Sequence, residues 1–103
     1  MTDKCRVYIA GPVTGCDGYE ENFRRATRKL ERIGLEIVNP VSLGTVDGAP
    51  YKYYIDRGLR LLMDCDAIVM LPDWEFSLGA RLERSYAETV GLTVLELKKV
   101  LED

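Results

Sequence analysis

The chain has 103 residues, of which 47% are hydrophobic and 30% are charged, and its formal net charge is −3. This length suits a single domain over residues 1–103, and the acidic balance disfavours binding to a nucleic acid polymer because it offers no basic surface to the phosphates. Histidine is absent from the sequence, which excludes serine–histidine catalysis.

The first half of the chain predicts two strands separated by a helix. Arg6–Ala10 is rich in β-forming residues and stops at a Gly-Pro pair, which is typical of a strand followed by a turn. Over residues 19–33 apolar side chains recur at helical spacing, and a glycine follows them. Residues 35–39 form the second predicted strand, and a loop rich in glycine and proline then runs to about Pro50.

The second half predicts two further helix–strand pairs. Residues 53–64 place apolar side chains on one helical face, and residues 67–71 form a strand that is apolar on both faces. A serine suited to the N-cap begins a third helix over residues 77–90, and a glycine closes it. A fourth strand over residues 92–95 follows, and the charged residues 96–103 are expected to end in a short helix.

This alternation predicts an α/β fold: a three-layer, open parallel sheet of four to five strands flanked by helices, Rossmann-like or flavodoxin-like. In such sheets ligands bind outside the carboxyl ends of the strands. The ends of the first and third strands, at residues 8–15 and 71–77, are therefore expected to converge on one crevice.

Glu83 is the strongest candidate for a functional side chain. Its i−4 and i−3 neighbours are the small residues Gly79 and Ala80, and helical side chains lean toward the N-terminus. The carboxylate should thus point back over them toward the end of the third strand, where it would suit a nucleophile or a general acid/base. A solvated surface glutamate is the alternative. Glycine in the first turn of a helix favours the functional interpretation, because it indicates close approach of a ligand or another backbone.

Three further features are candidates for the same crevice. Tyr8 in the first strand could hydrogen-bond a carboxylate, although a strand tyrosine is more often only packing. Ser77 could cap its helix, bind a phosphate, or do both. The loop after the first strand could hold an anion through its backbone N–H groups and a threonine hydroxyl, or it could be a plain turn. This loop comprises Gly11, Pro12, Val13, Thr14 and Gly15.

Three motifs together resemble the nucleoside 2-deoxyribosyltransferase superfamily. They are Val-Tyr-Ile-Ala-Gly at 7–11, Asp-Ala-Ile-Val at 66–69, and Ser-Leu-Gly-Ala-Arg-Leu-Glu-Arg-Ser-Tyr-Ala at 77–87. The chain is most similar to the small nucleotide N-hydrolases and to a short, uncharacterised DUF4406-type branch. The third motif is the most specific, and the three occur in the family's order over nearly the whole chain.

The resemblance implies roles for individual residues. Glu83 matches the catalytic glutamate, Tyr8 the tyrosine that orients it, and Ser77 a phosphate-binding serine, with residues 11–15 beside the sugar phosphate. The enzymes commonly carry an aspartate near the start of the second helix that contacts the sugar or base. Gly58 aligns with that position here. Asp56 is the nearby carboxylate, but it lies roughly 200° around the helix axis and would substitute only if the helix begins later.

By this resemblance the expected function is cleavage or transfer at the N-glycosidic bond of a 2′-deoxynucleoside 5′-monophosphate, with a glutamate nucleophile and without a metal or other cofactor. The alternative is a protein of the same fold that binds a nucleotide to sense or sequester it, which the glycine at the aspartate position favours. The family also implies a homodimer or a larger homo-oligomer. Trp74 could stack on a base or lie at a subunit contact.

The remaining expectations concern location and redox state. Three cysteines without CxxC spacing indicate reduced thiols rather than a disulfide framework or a zinc site. No apolar run is long enough to cross a bilayer, and the N-terminus lacks the segments of a signal peptide. A cytoplasmic protein without a membrane partner is therefore expected.

Overall fold

Four parallel strands form the centre of the computed structural model, which describes residues 5–102. The strands are β1 (Arg6–Ala10), β2 (Glu36–Val38), β3 (Ala67–Met70) and β4 (Thr93–Glu96), in the spatial order β2-β1-β3-β4. The helices are α1 (Tyr19–Arg32), α2 (Tyr51–Met63), α3 (Leu78–Val90) and α4 (Leu97–Leu101). The predicted α/β class with a parallel sheet is confirmed, and the described chain has four strands.

The two faces of the sheet are covered by different helices because side chains alternate along each strand. Val7 and Ile9 of β1 pack toward α1 and α4 in one apolar cluster, whereas Tyr8 and Ala10 pack toward α2 and α3 in another. This is the three-layer arrangement that the sequence predicts. It directs the side chain of Tyr8 into the layer that contains α3.

Most element boundaries lie within one or two residues of those predicted. The largest shift is at α2, which begins at Tyr51 rather than at residue 53. Two short 3-10 helices, Pro40–Leu43 and Trp74–Phe76, lie in segments predicted as loops. The first follows Asn39, whose side chain accepts a hydrogen bond of 3.0 Å from the backbone N–H of Val41. This contact satisfies one unpaired donor at the helix start.

The predicted ends of α3 are confirmed by their capping contacts. The hydroxyl of Ser77 accepts from the backbone N–H of Ala80 at 3.2 Å, and Gly91 follows the helix in the left-handed region with a φ of 85°. A side chain would be strained at that φ, so glycine is the expected residue there.

All three cysteines are unpaired, as predicted, and burial raises the pKa of the Cys65 thiol to about 11. None of the helices within residues 5–102 is long and apolar enough to cross a membrane.

The side of the sheet opposite to Tyr8 is stabilised mainly by burial of α1. The residues of this helix that are removed from solvent, Phe23, Ala26 and Leu30, recur at helical spacing and face the strands. Leu30 has no exposed surface. Truncation of such a side chain removes transfer free energy and leaves a cavity.

We expect Leu30→Ala to lower the free energy of unfolding by about 2–5 kcal/mol. Leu82→Ala is the matched control, since Leu82 is also a helical leucine but is 46% exposed. This control should change the free energy of unfolding by no more than about 0.5 kcal/mol. Urea unfolding of the two variants measures both values, and an equal loss in both would contradict the assignment of Leu30 to the core.

Candidate active site

A buried hydrogen bond between Tyr8 and Glu83 lies at the centre of the candidate site. The Tyr8 hydroxyl donates to Glu83 Oε2 at 2.5 Å, a length typical of a hydroxyl bound to a carboxylate. The side chain of Tyr8 is fully buried, and Glu83 is only 9% exposed. Tyr8 of strand β1 and Glu83 of helix α3 are thus in direct contact.

Helix α3 places Glu83 among residues that would ordinarily be apolar. Its buried positions are Ala80, Glu83 and Ala87, which share one helical face against the sheet. The two alanines bring the helix close to β1, so that the longer glutamate reaches the Tyr8 hydroxyl. A carboxylate on the buried stripe of an amphipathic helix is the signal by which the sequence reveals this site.

Burial changes the protonation of both partners. Desolvation raises the pKa of Glu83 to about 7, and the hydrogen bond from Tyr8 opposes this by favouring the charged carboxylate. The pKa of Tyr8 is raised well above its ordinary value by burial, by the charge of Glu83 and by the hydrogen bond to it. Tyr8 therefore stays protonated as a donor, while Glu83 can change its charge near neutral pH.

Gly58 of α2 packs directly against the Tyr8–Glu83 pair. A β-carbon at this position would lie 2.6 Å from Glu83 Oε2 and 2.7 Å from the Tyr8 hydroxyl. Both distances are shorter than a non-bonded contact allows, so any side chain here would displace the pair. The glycine in the middle of a helix, which costs about 1 kcal/mol relative to alanine, thus has a packing reason.

Gly79 has a different environment, although it lies in the facing helix α3. A β-carbon there would lie 3.0 Å from the Tyr51 hydroxyl and 3.2 Å from Ile55 Cδ1. These atoms are the ends of side chains on α2, so Gly79 accommodates the neighbouring helix. The close approach expected here was that of a ligand or another backbone, whereas the structure shows side chains of α2.

A cavity of about 500 Å³ opens over the Tyr8–Glu83 pair. Its walls come from the carboxyl end of β1 and the loop after it, the start of α1, the segment after β2, and the facing sides of α2 and α3. Within residues 5–102, no three Cys, Asp or Glu side chains group together as a metal site would require. Besides the Tyr8–Glu83 pair, the lining includes the charged side chains Glu20 and Arg57 and several hydroxyl groups.

The structure brings most of the predicted binding residues to this cavity. Those that line it are Gly11, Val13, Thr14, Ser77 and Gly79. Pro12 and Gly15 belong to the same loop but do not line the cavity, because the chain turns away; Pro12 lines a smaller hollow beside α1.

Asp56 does not line the cavity. Two residues along an α-helix correspond to roughly 200° of rotation, so Asp56 points away from the side on which Gly58 lies. Its carboxylate is exposed and lies 4.0 Å from the amino group of Lys52. The expectation that Asp56 replaces the missing aspartate is therefore not supported by its position.

Trp74 also lies outside the cavity lining. The guanidinium of Arg84 stacks over its ring at 4.5 Å from the centroid, and Arg84 in turn approaches Glu88 at 3.7 Å, an ion pair that the helical spacing predicts. Stacking of Trp74 on a base in this cavity is therefore disfavoured.

Several residues that line the cavity are absent from the predicted site. Tyr51, Tyr54 and Arg57 project from α2, and Thr45 comes from the segment before it. Helical periodicity did not include Tyr51, since α2 was predicted to begin later. Their joint presence follows from how this segment folds over β1, which no local pattern specifies.

Comparison with known proteins assigns the chain to a family. It belongs to the DUF4406 family, a domain of unknown function, whose model matches residues 5–96. A search of curated proteins found no match. The expected resemblance to the DUF4406-type branch is confirmed.

Gly58 and Gly79, one on each helix of the facing pair, allow a matched test of the packing. Gly79→Ala should be neutral or slightly stabilising, because alanine favours the helix by about 1 kcal/mol and only flexible side-chain ends must move. Gly58→Ala should be less stable than Gly79→Ala by about 1–3 kcal/mol, because its methyl group must displace the buried pair. Urea unfolding compares the two variants, and equal stabilities would contradict the contact at Gly58.

The raised pKa of Glu83 predicts a dependence of stability on pH. The folded pKa of about 7 lies above the ordinary 4.5, so the folded state binds the proton more tightly. The stability contributed by the protonated group is complete below about pH 4.5 and is lost as the pH rises through about 7. Relative to Glu83→Gln, the wild type should lose up to about 3 kcal/mol over this range.

Unfolding free energies of the wild type and Glu83→Gln, measured from pH 4.5 to 8, test this prediction. Other titrating groups cancel in the difference between the two proteins. Glu88→Gln is the control, since it removes a carboxyl group from the exposed face of the same helix. A flat difference curve for Glu83→Gln would mean that this carboxyl is not buried as described.

Proposed function

We propose that this DUF4406-family protein cleaves the N-glycosidic bond of a 2′-deoxynucleoside 5′-monophosphate, with Glu83 as the nucleophile. The observation that carries the proposal is the hydrogen bond of 2.5 Å from the Tyr8 hydroxyl to the Glu83 carboxylate at the wall of the cavity. A buried carboxylate aimed by a tyrosine suits a nucleophilic displacement at carbon. The wider resemblance to the nucleoside 2-deoxyribosyltransferase superfamily supports the same reaction.

The reaction would proceed in two displacements. Glu83 attacks the anomeric carbon, the bond to the base nitrogen breaks, and its electron pair leaves with the base. Water or a second base then attacks the same carbon, and the ester bond to Glu83 breaks. Tyr8 would hold one carboxylate oxygen throughout, which leaves the other oxygen to form the bond.

Phosphate binding is proposed at the N-terminus of α3. Ser77 lies at the N-terminus of α3, and its oxygen already accepts from Ala80, so its hydroxyl hydrogen is available to a ligand. The hydroxyl of Thr14 lines the same cavity. Helix N-termini favour anions, because their first N–H groups are unpaired and the helix dipole is positive there. These groups support a phosphorylated substrate over a free nucleoside.

A nucleotide-binding protein without turnover is the second candidate. Two observations favour it: the glycine at the position of the family's aspartate, and the Glu83 pKa of about 7. At neutral pH a large fraction of Glu83 would then be protonated and could donate a hydrogen bond to a ligand instead of attacking it. Stabilisation by nucleotides without release of free base would identify this function.

A homo-oligomeric state stays a prediction.

Incubation with each of the four natural deoxynucleoside monophosphates, followed by chromatography for free base, tests the enzyme. Glu83→Gln should abolish product formation, while Glu88→Gln on the exposed face of the same helix should retain it. Because the nucleophile must be deprotonated, kcat/KM should rise with pH up to about 7 and then level off.

Retention of activity in Glu83→Gln would exclude Glu83 as the nucleophile. If the wild type releases no base from any of the four nucleotides but is stabilised by one of them in a thermal shift assay, the binding function replaces the enzymatic one.

A further inference from the structure

Arg57 is a cation within a cavity that is otherwise lined by apolar, hydroxyl and carboxyl groups. Among residues 5–102, it is the only lysine or arginine that lines the cavity above Glu83. It immediately precedes Gly58, the residue that contacts the Tyr8–Glu83 pair. Its positive charge also acts on the Tyr8 hydroxyl, where it opposes the other influences by favouring a lower pKa.

The guanidinium is held by neutral groups. One nitrogen, Nη2, donates to the backbone carbonyl of Gly44 at 2.9 Å. The guanidinium carbon lies 5.6 Å from the ring centroid of Tyr53 and 5.2 Å from that of Tyr54, within the range of cation–π attraction. These contacts fix the side chain in position. A guanidinium carries five N–H donors, and the bond to Gly44 uses one of them.

Arg57 also lacks a carboxylate partner. None of the ion pairs within the described residues includes it, whereas other arginines pair with glutamates on the surface. A partly buried and unneutralised guanidinium is suited to an acceptor that carries negative charge. The cavity therefore has a preformed site for such a group on the ligand.

The topology separates this site from the proposed phosphate site. Arg57 is bonded to the segment that follows β2, whereas Ser77 follows β3. Strand β1, which carries Tyr8, lies between β2 and β3 in the sheet. A nucleotide with its phosphate at Ser77 and its sugar at Glu83 would thus extend its base toward Arg57.

Cleavage of the glycosidic bond requires a group that stabilises the leaving base at its end of the cavity. When the bond breaks, the electron pair stays on the base nitrogen and spreads onto the neighbouring acceptor atom, the 2-carbonyl of a pyrimidine or N3 of a purine. Two hydroxyl donors close to the pair are already used: Tyr8 donates to Glu83, and the Tyr54 hydroxyl donates to the carbonyl of Val46. Gly58 offers no carboxylic acid.

We propose that Arg57 stabilises the departing base by donating hydrogen bonds to the acceptor atom beside its glycosidic nitrogen. This inference rests on the proposed function and assigns the leaving-group end of the same site. Glu83 forms the bond to the anomeric carbon, the base leaves with the electron pair, and Arg57 remains protonated throughout. In hydrolysis, the water that breaks the Glu83 ester supplies one proton to the base, so the products are the neutral base and deoxyribose 5-phosphate.

The test compares two leaving groups on the same sugar phosphate. The first substrate is the best of the four natural deoxynucleoside monophosphates, and the second is 4-nitrophenyl 2-deoxyribofuranoside 5-phosphate, whose leaving group is stable as an anion and has no acceptor beside the broken bond. The variants are Arg57→Gln, Arg57→Lys and the control Arg60→Gln. Arg60 is an exposed arginine of the same helix that does not line the cavity.

Arg57→Gln should lower kcat on the nucleotide by about 100-fold, comparable to removal of a hydrogen-bond donor from a developing anion. On the nitrophenyl substrate the loss should stay below about threefold, since this leaving group needs no stabilisation. Arg57→Lys should recover part of the lost activity, and Arg60→Gln should match the wild type on both substrates. Activity of Arg57→Gln on the nitrophenyl substrate also shows that the variant is folded.

Equal losses on both substrates would overturn the inference, because they would mean that Arg57 only supports the loop through Gly44. No loss on either substrate would overturn it as well. Both of these outcomes leave the proposed function intact, whereas a wild type that cleaves neither substrate removes the proposed reaction and the role of Arg57 with it.

Discussion

The hydrogen bond between Tyr8 and Glu83 is the interaction around which the rest of the site is arranged. A carboxyl group that is 9% exposed must be neutral or well solvated by protein groups, because an isolated buried charge is costly. Here the Tyr8 hydroxyl solvates the carboxylate of Glu83, and the pKa near 7 means that the group is partly neutral at neutral pH. The neighbouring alanines of α3 and the glycine of α2 allow the two helices to pack closely around the pair.

The helix pair that covers this side of the sheet shows how two glycines serve different purposes. Gly79 admits side chains of α2, so it sets how closely the two helices approach. Gly58 admits the oxygen atoms of Tyr8 and Glu83, so it sets where the reactive group lies. Position 58 is thus closed to any side chain unless the pair moves.

The sequence predicted the elements and the carboxylate because both depend on short-range patterns. The alternation of strands and helices, the serine cap of α3 and the small residues before Glu83 are all local, and all are present. The role of Gly58 was interpreted only as a missing aspartate, since its contacts join residues distant in the chain. Arg57 was not identified for the same reason: its importance depends on where the segment after β2 folds. Asp56 does not replace the missing aspartate, because two residues along a helix turn its side chain away from the side of Gly58.

The central contact joins residues separated by 75 positions in the chain, and it needs β1, α2 and α3 in place together. No contiguous fragment shorter than most of the domain contains all three. Partial unfolding of any one of these elements therefore breaks the Tyr8–Glu83 contact and loosens the core together. The fraction of molecules that hold this contact is, in consequence, set by the cooperative stability of the domain rather than by the stability of a single segment.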